Sequence, residues 1–141
     1  MPRLYHVGIT VTDLERSVAF YRDLMGMTEQ SRSEAAGEWF DALTWNKGAR
    51  IRVAFLGLEE FRLQLVQYLA AGGTRLELGH HHIGNPHLSF HVTDLEERHA
   101  RAQAMGVRRL TAIVRIGATS LRSFYAHDPD GVPVELIESH Q

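Results

Sequence analysis

The chain says nearly the same thing twice. Residues 6–19 read HVGITVTDLERSVA, and residues 87–100 read HLSFHVTDLEERHA. At an offset of 81, seven of these fourteen positions are identical. A second echo closes each half. FRLQLVQY, from Phe61 to Tyr68, matches VPVELIES, from Val132 to Ser139, in its apolar positions, with Gln64 opposite Glu135. Such self-similarity constrains the architecture more than any local pattern does, because each copy has to build the same structural unit.

The grammar of one copy can be read directly. Leu4 to Val11 is a short apolar strand. Thr12-Asp13-Leu14-Glu15 then reads as a capping box, with Thr12 at the N-cap and Glu15 three residues later. Leu14, Val18, Tyr21 and Met25 follow at helical spacing, and Gly26 suits the helix end. In the second copy Leu88 to Val92 is the strand and Thr93 to Glu96 the cap, while Leu95, Ala102 and Met105 mark the helix face and Gly106 the stop. Its apolar stripe is weaker, because His99 takes the place of Val18.

Strand-like runs follow each helix. In the first half they cover roughly Trp39 to Trp45, Ile51 to Leu56 and Phe61 to Tyr68. In the second they cover roughly Val107 to Ile116, Ser120 to Ala126 and Val132 to Ile137, with Asp128-Pro129-Asp130-Gly131 as a turn signal before the last. The offset between echoes falls from 81 to 71, so the first half holds ten more residues, mostly around Gln30 to Glu38. That excess predicts a covering loop. The Gly-rich stretch from Ala70 to Asn85 predicts a linker. The expected fold is therefore α+β, with one domain over residues 1–141. It consists of two βαβββ modules, at about 1–69 and 86–141, whose sheets curve around a shared interior.

Composition narrows the function classes. A net charge of −2 gives no global basic field for nucleic acid. There is no Cys, hence no disulfide frame and no thiol chemistry. The N-terminus MPRLYHVGIT lacks an extended apolar signal core, and no run approaches the ~20 apolar residues of a membrane span. The expectation is a soluble cytoplasmic protein with a small-molecule substrate and neither nucleic-acid nor membrane partner.

Strand alternation then brings chemistry together. In His6-Val7-Gly8-Ile9-Thr10, His6, Gly8 and Thr10 share one face; in His87-Leu88-Ser89-Phe90-His91, His87, Ser89 and His91 do. Gln64 and Glu135 each stand between two apolar neighbours on the closing strand of their half. A lone His at a strand start is commonly structural, and a strand Gln commonly faces solvent. Four such residues at repeat-equivalent positions are not independent accidents. Two imidazoles, an amide oxygen and a carboxylate suit a borderline divalent ion such as Mn, Fe, Co, Ni or Zn. The protein would contribute a charge of only −1, so the ion keeps positive character for stabilising an enolate or alkoxide.

The motifs HVGITVTDLERSVAFYRDLMGM, FRLQLVQY, HLSFHVTDLEERHARAQAMGV and SFYAHDPDGVPVELIE span almost the whole chain. They resemble the vicinal oxygen chelate superfamily, which includes glyoxalase I, methylmalonyl-CoA epimerase, extradiol dioxygenases, and bleomycin and fosfomycin resistance proteins. The resemblance implies paired βαβββ modules around a barrel-like cavity, commonly in a homodimer. It implies one divalent metal ion at His6, Gln64, His87 and Glu135, a ligand set most like the epimerase branch. One departure stands out. The epimerases carry a catalytic Glu before the strand corresponding to Arg50 to Leu56, and here residues 44–58, TWNKGARIRVAFLGL, contain no Asp or Glu. Glu135 is left as the candidate base.

The expected function is a metal-dependent isomerase, epimerase or lyase acting on a small oxygen-chelating substrate through an enolate-like intermediate. One alternative is an extradiol-type dioxygenase, although such sites typically use three protein ligands and Gln64 makes a fourth. Another is a non-enzymatic resistance protein that sequesters a hydrophobic drug. His91, two residues after His87 on the same face, is a candidate proton shuttle or an interior hydrogen-bonding His. His80-His81-His82 reads as a solvated loop rather than a metal tract. Tyr125 is expected in the cavity wall, and His127 is undecided. Trp39, Phe40, Trp45 and Phe55 suit a hydrophobic substrate wall, core or dimer contacts. Arg50, Arg52, Arg62 and Arg122 are each either a grip for an acidic substrate or an ordinary surface charge.

Overall fold

The computed structural model describes residues 1–139. The chain divides into two compact units, Met1–Arg75 and Leu76–Gln141. In the first unit the order is β1 (Val7–Val11), α1 (Leu14–Met25), β2 (Thr28–Ala36), α2 (Glu38–Thr44), β3 (Arg50–Leu58) and β4 (Phe61–Ala70). Its sheet runs β1-β4-β3-β2, with β1 parallel to β4 and the other pairs antiparallel. The second unit has β5 (Leu88–His91), α3 (Leu95–Ala104), β6 (Val114–Arg115), β7 (Leu121–His127) and β8 (Pro133–Ser139), in the order β5-β8-β7-β6. Each sheet is open and four-stranded. The repeat thus becomes one topology built twice, as expected.

Period-two burial explains why each sheet has a helix on one side. Leu63 and Leu65 are fully buried, while Gln64 between them is only partly covered. The buried side meets α1 through Leu14, Val18, Tyr21, Leu24 and Met25. In the second unit Phe124, Val134 and Leu136 take this part against Leu95 and Ala102 of α3. The helix starts are tied down identically. The Leu14 N–H donates to Gln67 Oε1 at 2.9 Å, and the Leu95 N–H to Glu138 Oε1 at 3.4 Å. Gln67 and Glu138 are repeat equivalents, so this second Gln/Glu pair is structural.

Several local expectations are corrected. The N-caps are Asp13 and Asp94, one residue later than the capping-box reading. Asp13 is extended at φ −138° and accepts the Arg16 N–H. Residues 28–36 form β2, where a covering loop was expected. The polar sequence TEQSRSEAA hides the strand because β2 is an exposed edge, and its pairing with β3 needs no apolar face. The run Trp39 to Trp45 is helix α2 rather than a strand. Its single buried side chain, Phe40, covers Ala49, Ile51 and Val53 on the sheet face away from α1. The run Val107 to Ile116 pairs only at Val114–Arg115 and at an isolated Arg108–His127 bridge. Thr111 explains the break. Its N–H donates to Tyr125 O, and its hydroxyl accepts the Tyr125 N–H, so a side chain takes the place of a backbone ladder. The Asp128 turn is as read: its buried carboxylate accepts the N–H groups of Asp130 and Val132. No helix among the described residues is long and apolar enough to cross a membrane.

Candidate metal centre

Each unit builds the same cluster of side chains on the sheet face opposite its long helix. His6 immediately precedes β1, Gly8 pairs with Gln64, and Gln64 pairs with Phe55. His87 immediately precedes β5, Ser89 pairs with Glu135, and Glu135 pairs with Tyr125. An aromatic ring stands edge-on to the His in both. The His6 and Phe55 ring centroids are 5.4 Å apart at 70°, and those of His87 and Tyr125 are 5.6 Å apart at 66°. The repeat therefore conserves a His, an aromatic and a Gln or Glu as one spatial motif. The second residue of β1 and of β5, placed on this face by the sequence reading but given no role there, completes it. Ser89 Oγ donates to Glu135 Oε1 at 2.7 Å and orients the carboxylate. At the equivalent Gly8, an added Cβ would lie 3.1 Å from Gln64 Oε1, so the missing side chain leaves room for the amide. Aligning the repeat by register would have found both.

The donors suit a borderline cation. His6 Nδ1 is buried and has no hydrogen-bond partner among the described residues, although an unpaired buried polar atom is costly. Beside Glu135, Tyr125 has its phenol pKa raised, first by burial and then by the carboxylate's charge and hydrogen bonding. Among the described residues no three His, Asp or Glu side chains are grouped to hold a metal ion. Register places His6 and Gln64 on one sheet face of the first unit, and His87 and Glu135 on the equivalent face of the second.

The other candidates separate clearly. His91 is exposed at the end of β5 opposite Ile137, one step along the face that carries Ser89. His80 is exposed in the loop, as expected. It belongs to a turn closed by Asn85 Nδ2 donating to Gly79 O, and its ring stands edge-on to Tyr125 at 4.6 Å and 5.9 Å from His127. Trp39 and Trp45 are exposed, whereas Phe40 is core. Arg52 pairs with Glu34, and Arg122 with Glu96 and Glu138, so these two arginines are structural. Arg62 has no such partner among the described residues. Its guanidinium carbon lies 4.4 Å from the Phe55 ring centroid and 5.0 Å from that of Tyr5.

His127 is buried, and its Nδ1 has no hydrogen-bond partner. Burial lowers its pKa by more than the hydrogen bond to the Arg109 backbone raises it. A His whose folded pKa is depressed binds fewer protons in the folded state. Its contribution to stability is therefore complete above the ordinary value of about 6.5 and disappears as pH falls through the lower folded value. The thermal midpoint should fall between pH 7.5 and 5, and His127→Gln should flatten that fall. An unchanged slope in the variant would assign the acid sensitivity to other groups.

Comparison with known proteins adds an independent line. Residues 3–136 match the family profile described as Glyoxalase/Bleomycin resistance protein/Dioxygenase superfamily. The chain is 32% identical over 143 residues to a 2-epi-5-epi-valiolone epimerase from an Actinomyces species, covering 95% of this chain and 78% of that protein. It is 28% identical over 141 residues to the lactoylglutathione lyase of Haemophilus influenzae, covering 97% and 93%. Among solved structures, a glyoxalase family protein from Bacillus cereus superposes with a TM-score of 0.90 at 21% identity, covering 100% of this chain and 96% of that one. The fosfomycin resistance protein FosX of Listeria monocytogenes, crystallised with Mn(II) and sulfate, superposes with a TM-score of 0.70 at 19% identity, covering 99% and 94%.

Proposed function

Because the chain belongs to the glyoxalase/bleomycin resistance protein/dioxygenase superfamily, we propose that it is a divalent-metal-dependent enzyme acting on a small oxygen-chelating substrate. The observation that carries this reading is the duplicated half-site, a His, an aromatic and a Gln or Glu in the same register in both units. A lyase and an epimerase among the relatives support isomerase, epimerase or lyase chemistry. His6, Gln64, His87 and Glu135 would hold the metal. The ion would supply Lewis-acid stabilisation of negative charge developing on the substrate's paired oxygens.

The rest of the work falls to the chain. Glu135 is the sole carboxylate of the donor set, and the Ser89 hydroxyl holds its Oε1. It is the group to accept a proton from a substrate carbon. Gln64, as an amide, cannot share that task. His91 lies on the same face as Ser89 and Glu135 and is the next residue to carry a proton. Phe55 and Tyr125 flank the two histidines with ring surface against which an apolar part of the substrate can rest.

Elemental analysis after loading with Mn, Fe, Co, Ni or Zn, followed by a substrate screen, tests this reading. The screen should begin with hemithioacetals and epimerisable cyclic ketones. Absence of both metal and turnover would overturn it. Tight binding of a hydrophobic antibiotic without metal would establish the sequestration reading instead. Methylmalonyl-CoA should be a poor substrate. Moving a proton between two faces of one carbon normally needs two bases, and residues 44–58, from the end of α2 through β3, supply no carboxylate. Turnover on the order of 10 per second or faster would refute that expectation and turn attention to Glu38, Asp41 and His91.

A further inference from the structure

The repeat makes Arg62 conspicuous. Its equivalent in the second unit is Pro133, in the same position of β8. The strand therefore does not need an arginine there in order to form. Arg62 belongs to β4, two residues before Gln64 and on the same face. Opposite it in the ladder is Gly57, and the Gln30 side chain lies across that glycine, with Oε1 accepting from Arg62 Nε at 3.2 Å.

The guanidinium lies beside partners that do not neutralise it. It lies over Phe55 and Tyr5, and those same two rings flank His6, at 5.4 and 5.3 Å between centroids. Gln30 takes only Nε, so the two terminal amino groups keep their donors. A planar fork held beside two rings, with no carboxylate partner among the described residues, suits a planar or tetrahedral oxyanion. Arg52 and Arg122, by contrast, already hold carboxylates.

We propose that Arg62 binds an anionic group of the substrate, a carboxylate or a phosphonate-like oxyanion, beside the oxygens that reach the metal. This inference rests on the metal-dependent reading of the same site and specifies its substrate class as chelating acids. Arg62 selects the acid from its neutral analogues.

Hydroxamates separate the two claims, since their head chelates a divalent ion through two oxygens whatever the tail. Calorimetric titration of the Mn-loaded protein would compare succinic monohydroxamate with its tail amide, and with a phosphonate-tailed analogue of the same length. Wild type should bind at least one anionic tail about tenfold or more tighter than the amide, as for hydrogen bonds to charged groups. Which anion gains more distinguishes carboxylate from phosphonate. Arg62→Gln should abolish the preference while still binding the amide probe. Arg62→Lys, which keeps the charge without the fork, should retain only part of it and carries the test if Arg62→Gln does not fold. If all tails bind wild type equally, or if the preference survives in both variants, Arg62 is not the anion site and the metal reading stands. If Mn-loaded wild type binds no hydroxamate, the metal reading falls and this inference with it.

Discussion

Purified protein loaded with a divalent transition metal should hold about one ion per chain, and His6→Ala or His87→Ala should each lose it. The two substitutions are expected to act alike despite lying in different units, because each removes the sole imidazole of its donor pair. Loss of an outer-shell partner already costs about 10–100-fold in metal affinity, so loss of a ligand should cost at least the upper end of that range. Phe55→Leu is the control. It alters the ring beside His6 without removing a donor, and it should weaken binding far less. Unchanged metal content in the His6→Ala/His87→Ala double variant would eliminate both histidines as ligands. Mixing the two single variants extends the test. If the half-sites of two chains combine, a mixed dimer regains one complete site of its two; if each chain builds its own, no metal returns.

The features legible in the sequence were those the repeat states twice. The strand–helix opening, the closing strand and the pairing of Gln64 with Glu135 all follow from two copies building one topology. What the repeat does not duplicate was read less well. The stretch TEQSRSEAA carries no alternation because β2 is a polar edge strand, so its pairing partner, and not its own pattern, makes it a strand. The segment Trp39 to Trp45 is rich in aromatics and suggested a strand. It is helical because a single inward residue, Phe40, covers Ile51 and Val53 while both tryptophans face outward. Tertiary context decides such short segments. At the candidate site, the proposed donor types were visible in the sequence but the residues beside them were not given a role. Ser89 and Gly8 are equivalent positions with opposite means, one donating a hydrogen bond to its acceptor and the other clearing space for it. Neither residue type announces that role until register places it opposite Glu135 or Gln64. Arg62 looked like any other surface arginine until the two rings and the absence of a carboxylate partner set it apart.

Glu135→Gln should be the most damaging single substitution for turnover. The change is nearly isosteric, and Glu135 is only partly buried on β8, so the fold should persist. Ser89 can still donate to the new amide oxygen, as it now does to Oε1. What changes is charge and proton capacity. The donor set becomes two imidazoles and two amides, with no protein charge to offset the ion, so metal should bind more weakly. The group proposed to take the substrate proton also disappears, a loss of roughly 10²–10⁴ in rate for a general base. These two effects can be separated by measuring turnover at saturating metal, where only the second remains. Ser89→Ala provides the intermediate case. It leaves the carboxylate but removes the hydroxyl that orients it, and should lower the rate by less than Glu135→Gln. His91→Ala should keep metal bound and slow turnover only to the extent that His91 relays the proton. All three variants need the wild-type thermal midpoint to within a few degrees for the comparison to hold. Full metal occupancy and full turnover in Glu135→Gln would mean that Glu135 is neither ligand nor base, and the four-residue centre would have to be abandoned.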